Sequence, residues 1–204
     1  MAHSQTAEPT RRDFLYLATA ASAAVGATIS IWPLINQMNP SADVLALSSI
    51  EVDLSAIQPG QSVTFTYRSH PLFVRRRTAA EIAQAREVPV ASLIDPVARN
   101  ANFPPDAPAT DANRLTPNVN AAQGTTAAPM EKPEWFVVIG VCTHLGCTPT
   151  ASTAEDKQGD YGGWLCHCHG SQYDVAGRVR VGPAPQNMAV PPYTFLSDTR
   201  IKVG

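Results

Sequence analysis

The hydrophobic pattern of the chain is one long apolar stretch followed by many short ones. From Phe14 to Ala42 there is no charged residue and no histidine, a run of 29 positions rich in Ala, Ser, Thr and Gly. About 20 apolar residues at 1.5 Å each cross a hydrocarbon core of about 30 Å, so the run predicts a membrane-spanning helix. Trp32 near its far end suits a membrane interface, and Pro33 stands where a helix break costs least. Past a connector at residues 39–49 the pattern shortens. Ser62 to Tyr67 alternates, with Val63, Phe65 and Tyr67 on one face, and Pro71 to Arg77 reads as a second strand. Thr78-Ala79-Ala80-Glu81 is a capping-box pattern that predicts a short helix to about Glu87. Trp135 to Val141 is a continuous apolar strand, Gly163-Trp164-Leu165 feeds another, and Arg178 to Val181 and Thr199 to Val203 complete a mainly β head.

Between these elements, residues 95–133 hold seven prolines among many Ala, Asn and Thr. That composition predicts a long insertion with little core-forming capacity, wrapped on the surface or partly mobile. Arg75-Arg76-Arg77 reads as a solvated strand end, with a docking patch as the alternative. His3 and His70 read as surface residues, and no internal repeat occurs.

Ahead of the apolar run, Thr10-Arg11-Arg12-Asp13-Phe14-Leu15 resembles a twin-arginine export signal, an address read by a receptor and not itself an anchor. Arginines before the run favour an N-terminus inside and a head outside. The alternative is a signal peptide that is removed, but triplets such as Ala18-Thr19-Ala20 lie early, with a long apolar stretch still to come. The expectation is a retained, single-pass anchor over 1–38 in the inner (cytoplasmic) membrane, with a cytoplasmic N-terminus and a periplasmic head. Ser22 and Gly26 offer a close helix contact, or only reflect the modest hydrophobicity of such signals.

Charge narrows the function classes. With 15 basic and 17 acidic residues among 204, the formal net charge is -2, which argues against a nucleic-acid binder. All four cysteines fall between 142 and 168, and three of the five histidines fall there too. They form two boxes, Cys142-Thr143-His144-Leu145-Gly146-Cys147 and Cys166-His167-Cys168-His169-Gly170-Ser171. Each box has a cysteine followed closely by a histidine, and one cysteine to spare. Two thiolates and two imidazoles suit a closed tetrahedral zinc site. The same set suits a [2Fe–2S] cluster with cysteines on one iron and histidines on the other. Zinc fingers usually pair cysteines at one end and histidines at the other, whereas here each loop supplies one of each. Two facing loops of that kind would clamp an elongated two-metal cluster. Zinc, or a plain pair of structural disulfides, remain the alternatives.

The boxes resemble those of the Rieske iron–sulfur proteins. The whole chain is similar to the Rieske subunits of cytochrome bc-type complexes of bacteria and mitochondria: the anchor, the Ala42-Asp43-Val44-Leu45-Ala46 connector, the β head and Gly182-Pro183-Ala184-Pro185. The resemblance implies an antiparallel β-sandwich head over 50–204, with a small cluster-binding subdomain at about 136–186, carried on a flexible hinge at 39–49. It implies one [2Fe–2S] cluster held by Cys142 and Cys166 on one iron and His144 and His169 on the other. It also implies a disulfide between Cys147 and Cys168, which an exported compartment permits. Ser171 and Tyr173 match the family's hydroxyl donors to a bridging sulfide and to a cysteine sulfur, bonds that raise the cluster potential. The Gly182–Pro185 stretch matches a loop that shields the cluster. His167 departs from the pattern, since the family usually has Pro there. The matching spacing makes His169 the ligand and leaves His167 a bystander.

Functionally, the resemblance implies an electron-transfer subunit that oxidises ubiquinol together with cytochrome b. His169 would hydrogen-bond the quinol, with His144 the other exposed imidazole. One electron would pass to a c-type cytochrome and protons would be released on the exported side, within a dimeric complex. The alternatives are the small Rieske subunit of an arsenite-oxidase-like enzyme, a soluble Rieske ferredoxin serving an oxygenase, and a zinc-stabilised binding module.

Overall fold

The computed structural model describes residues 10–42, 44, 48–117, 132–153 and 155–204. Part of the 39–49 connector, residues 118–131 of the insertion, and His3 therefore lie outside the described residues. The chain divides into two compact units, residues 1–45 and residues 46–204.

The first unit is built on helix α1, Arg11–Asn36. Thr10 caps it: the Thr10 hydroxyl accepts the Asp13 N–H, and the Asp13 carboxylate accepts the Thr10 N–H at 2.8 Å. The paired arginines are thus the first helical residues. Hydroxyls of Ser22, Thr28 and Ser30 donate to the carbonyls four residues earlier, each at 2.8 Å. Satisfying those polar atoms internally lets a Ser/Thr-bearing helix present an apolar surface. Its 26 residues are long and apolar enough to cross a membrane.

In the second unit the strands are β1 (Ile50–Asp53), β2 (Ser62–Tyr67), β3 (His70–Arg76), β4 (Trp135–Ile139), β5 (Thr150–Ala151), β6 (Gly162–Cys166), β7 (Ser171–Asp174), β8 (Val179–Val181), β9 (Tyr193–Ser197) and β10 (Arg200–Val203). They form three antiparallel sheets, ordered β1-β10-β9, β2-β3-β4 and β5-β6-β7-β8. Helix α2, Ala79–Glu87, follows β3, and its Thr78/Glu81 capping box is formed as the sequence predicts. The apolar face of β2 is covered, while Thr64 and Thr66 are exposed. The uninterrupted apolar run of β4 is buried from Trp135 to Val138, as a strand covered on both faces requires. Trp164 of β6 stacks on Phe73 of β3 and tilts against Phe136 of β4, both at 5.9 Å between ring centroids. Those contacts join the second and third sheets in one core, which Val52, Phe195 and Ile201 of the first sheet also enter. His70 is exposed at the start of β3.

Two expectations are corrected. Arg75 and Arg77 are not a solvated strand end; each is 2% exposed. Two apart on a strand, they share a face. Arg75 donates to the Ser152 carbonyl at 2.7 Å and pairs with Glu81, while Arg77 meets Asp111 at 2.5 Å and the Pro133 carbonyl at 2.6 Å. Only Arg76 keeps partial exposure, over the Trp135 ring.

The described part of the insertion exposes Pro96, Pro104 and Pro105 but is more than a surface wrap, because other residues of it reach the interior. Arg114 is fully buried and donates to the carbonyls of Ala98, Ala176, Gly177 and Met188. The buried Asp95 carboxylate accepts from Arg99 Nε at 2.9 Å, Asn187 N at 3.0 Å and Val97 N at 3.1 Å. Polar side chains bonded to backbone groups replace the apolar contacts that its composition lacks.

Candidate metal centre

Both boxes sit in loops at the ends of strands. The first follows β4, and the second spans the turn from Cys166, the last residue of β6, to Ser171, the first of β7. The loops close alike: Gly146 N donates to the Cys142 carbonyl and Gly170 N to the Cys166 carbonyl, each at 2.9 Å. Both glycines have positive φ, 82° and 76°, and a side chain at either would meet nothing within 4 Å. Glycine is required there by conformation, not by space.

This folding brings the predicted residues together. Cys142 and Cys166 are buried and unpaired with other cysteines, whereas Cys147 and Cys168 are joined in a disulfide that ties the two loops. The rings of His144 and His169 lie 4.6 Å apart, edge to face, and His169 is exposed. Leu145 is 70% exposed beside them. His144 Nδ1 is buried without a hydrogen-bond partner. An orphaned buried nitrogen in the same loop as a buried free thiol is what a site for a non-protein group looks like.

The thiols are electrostatically unlike. Burial pushes Cys142 up, but hydrogen bonds, chiefly from Tyr173 and then from the His144 N–H, outweigh it and hold this thiol below its ordinary range. Cys166 is raised by burial and by its neighbour Cys142. Tyr173 Oη lies 3.3 Å from Cys142 Sγ, and burial raises the phenol so that it stays protonated and donates. Ser171 is fully buried; its hydroxyl accepts the Ala184 N–H at 3.1 Å and contributes least among the groups that lower Cys142.

A different grouping, Cys147, Cys166 and Cys168, also places its sulfurs within 4.8 Å of one another. Sulfurs bonded to each other are not thiolate ligands, so this grouping instead sets the disulfide against the Cys166 sulfur. The remaining donors, two free thiols and two imidazoles shared between facing loops, fit a [2Fe–2S] group.

The Gly182–Pro185 loop covers the second box. Gly182 has φ 103°, and a Cβ there would come within 2.5 Å of Ser171 Cα, so only glycine allows this approach. Thr143, which the spacing of the boxes gave no reason to single out, holds the loop from the other side. Its Oγ1 donates to the Gln186 carbonyl at 2.6 Å and accepts the Gln186 N–H at 3.3 Å. His167 turns away, its Nε2 lying 3.1 Å from Gln158 Oε1.

The profile of the Rieske [2Fe-2S] domain matches residues 106–194, and that of the ubiquitinol-cytochrome c reductase Fe-S subunit TAT signal matches residues 1–41. The ubiquinol-cytochrome c reductase iron-sulfur subunit of Rhodobacter capsulatus is 51% identical over 204 residues, covering all of both chains. That of Cereibacter sphaeroides is 48% identical, again over all of both, and that of Rickettsia conorii is 49% identical over 97% of this chain and 94% of its own. Matches of this extent leave no part of the described fold unaccounted for: the chain belongs to the Rieske iron–sulfur subunits of ubiquinol–cytochrome c reductase.

Proposed function

We propose that the chain oxidises ubiquinol together with cytochrome b and passes one electron to a c-type cytochrome, with Cys142 and Cys166 on one iron and His144 and His169 on the other. The observation that carries this reading is the pairing of two buried free thiols with two imidazoles 4.6 Å apart, His169 at an exposed tip. The bound [2Fe–2S] group supplies one-electron chemistry at a potential raised by its neutral imidazole ligands, in the range of about −150 to +300 mV.

The chain's own residues do the rest. His144 directs its buried Nδ1 inward, which leaves Nε2 as the outward nitrogen. The exposed His169 ring accepts a hydrogen bond from a quinol hydroxyl and takes that proton as the electron leaves, releasing it on the side of the head. Tyr173 and Ser171 hold donors against Cys142, favouring the more negative state of the site. The Gly182–Pro185 loop keeps water from the sulfurs.

α1 serves as a single-pass anchor in the inner membrane, with the N-terminus cytoplasmic and the head periplasmic. The paired arginines at its start support that orientation. The head, residues 50–204, moves on a hinge at 39–49 between cytochrome b and the c-type cytochrome of a dimeric complex. The full-length relatives of Rhodobacter capsulatus and Cereibacter sphaeroides carry the name of the ubiquinol–cytochrome c reductase subunit, which weighs against the arsenite-oxidase-like reading.

The test is substitution of each ligand in the full-length, membrane-bound chain. Cys142→Ser, Cys166→Ser, His144→Ala and His169→Ala should each abolish the cluster signal in electron paramagnetic resonance (EPR) and the bound iron, while His167→Ala keeps both. Retention of full iron by any of the four would remove that residue from the ligand set.

A further inference from the structure

His167 lies between Cys166 and the disulfide-bonded Cys168, yet its side chain makes its contact elsewhere. Its Nε2 is 3.1 Å from Gln158 Oε1. The Gln158 amide cannot turn over, because its Nε2 donates to Asp156 Oδ2 at 2.7 Å and only an NH₂ group can face a carboxylate. The Gln158 carbonyl oxygen therefore faces the imidazole, and His167 Nε2–H is the donor.

Gln158 is itself fixed. Its backbone N–H donates to Ser152 Oγ and its carbonyl accepts from the same hydroxyl, both at 2.9 Å. Ser152 N donates to the Gly163 carbonyl on β6 at 2.7 Å, and the Ser152 carbonyl accepts from the buried Arg75 at 2.7 Å. A continuous polar chain thus runs from the core at Arg75, through Ser152 and Gln158, to His167.

We infer that His167 is a positioning residue for the second cysteine–histidine loop, acting through the Gln158 strut to hold the peptide groups that follow it against the Cys166 sulfur. The inference rests on the ligand set proposed above. The loop closes on Cys166, whose carbonyl accepts the Gly170 N–H at 2.9 Å, and the Cys168 and His169 N–H groups face the Cys166 thiol and act to lower it against burial. Donors to a ligand sulfur stabilise the reduced cluster, so loosening them lowers the potential. The disulfide and the Gly170–Cys166 bond still hold the loop ends when the strut is cut. The effect therefore falls on potential more than on assembly.

The experiment is an EPR-monitored redox titration of the full-length chain in its membrane, for wild type, Gln158→Ala, His167→Ala and the double variant. Gln158→Ala is the decisive single change, since it lies away from the ligands and leaves the Gln158 backbone bonds to Ser152 intact. Each single variant should lower the reduced-to-oxidised ratio at fixed potential about threefold, roughly 30 mV at about 59 mV per tenfold. The double variant should shift no further than either single one. Unshifted potentials, or shifts that simply add, would overturn the strut. A wild type lacking the cluster signal would instead overturn the ligand set on which the strut depends.

Discussion

Thr143 and Gln186, 43 positions apart, exchange a reciprocal pair of hydrogen bonds through one hydroxyl: Oγ1 donates to the Gln186 carbonyl at 2.6 Å and accepts its N–H at 3.3 Å. The first box and the shielding loop are thereby one unit. Replacing Thr143 with Val keeps the shape and removes both bonds, at about 0.5–1.5 kcal/mol each. Hydrogen exchange at the Gln186 amide should quicken about tenfold, at about 1.4 kcal/mol per factor of ten. Unchanged protection there would show that the loop is held by packing alone.

Tyr173 donates to Cys142 Sγ from the buried side. Tyr173→Phe deletes a single hydroxyl. Taking about 1.5 kcal/mol for a bond to a charged acceptor, the midpoint should fall by about 65 mV with the cluster retained. Redox titration of the variant checks both halves of the statement; a midpoint equal to wild type would contradict the donor role.

The Cys147–Cys168 disulfide spans a separation of 21 residues and ties the two loops together. Substituting both cysteines with Ser should cost about 2–4 kcal/mol and let the loops part. Iron analysis during exposure to a chelator should show faster loss of metal than in wild type. Equal retention would mean that the four proposed ligands suffice to hold the loops.

Acid should loosen the far end of the shielding loop through Asp95. Burial raises this carboxyl, but bonds from Arg99, Asn187 N and Val97 N together hold it below the ordinary carboxylate range. A depressed carboxylate adds stability that is present above its unfolded pKa of about 3.9 and is lost as pH falls through the lower folded value. Asp95→Asn should therefore be less stable than wild type near neutrality, with the gap closing below about pH 4. Thermal unfolding across that range measures the gap; a gap independent of pH would remove Asp95 from the acid response.

What was legible in the sequence was whatever is encoded locally. The boxes keep their spacing over a few residues, so the family resemblance they carry was enough to name Cys142, Cys166, His144 and His169. The capping box at Thr78 involves bonds three residues apart and forms as expected; the one at Thr10 is just as local but lies inside the stretch read only as an export signal. β1, β5, β7 and β9 were not predicted; they are four, two, four and five residues long. The buried arginines were misread for a different reason. Arg75 finds Ser152 at a separation of 77 and Arg77 finds Asp111 at a separation of 34, so apart from Glu81, six residues on from Arg75, nothing near the run of three reveals these partners. Thr143 escaped notice on the same ground. Charge by itself signals solvent, and only the tertiary fold supplies the acceptors that allow a guanidinium to be buried.

The central claim is that two thiols and two imidazoles of this chain hold a high-potential [2Fe–2S] cluster that takes electrons from quinol. It is tested most directly by EPR of the full-length protein in its membrane, titrated first with ascorbate and then with dithionite. A rhombic signal that develops fully with ascorbate is the predicted result. A signal that needs dithionite, or a colourless protein containing zinc and giving no signal, would contradict it.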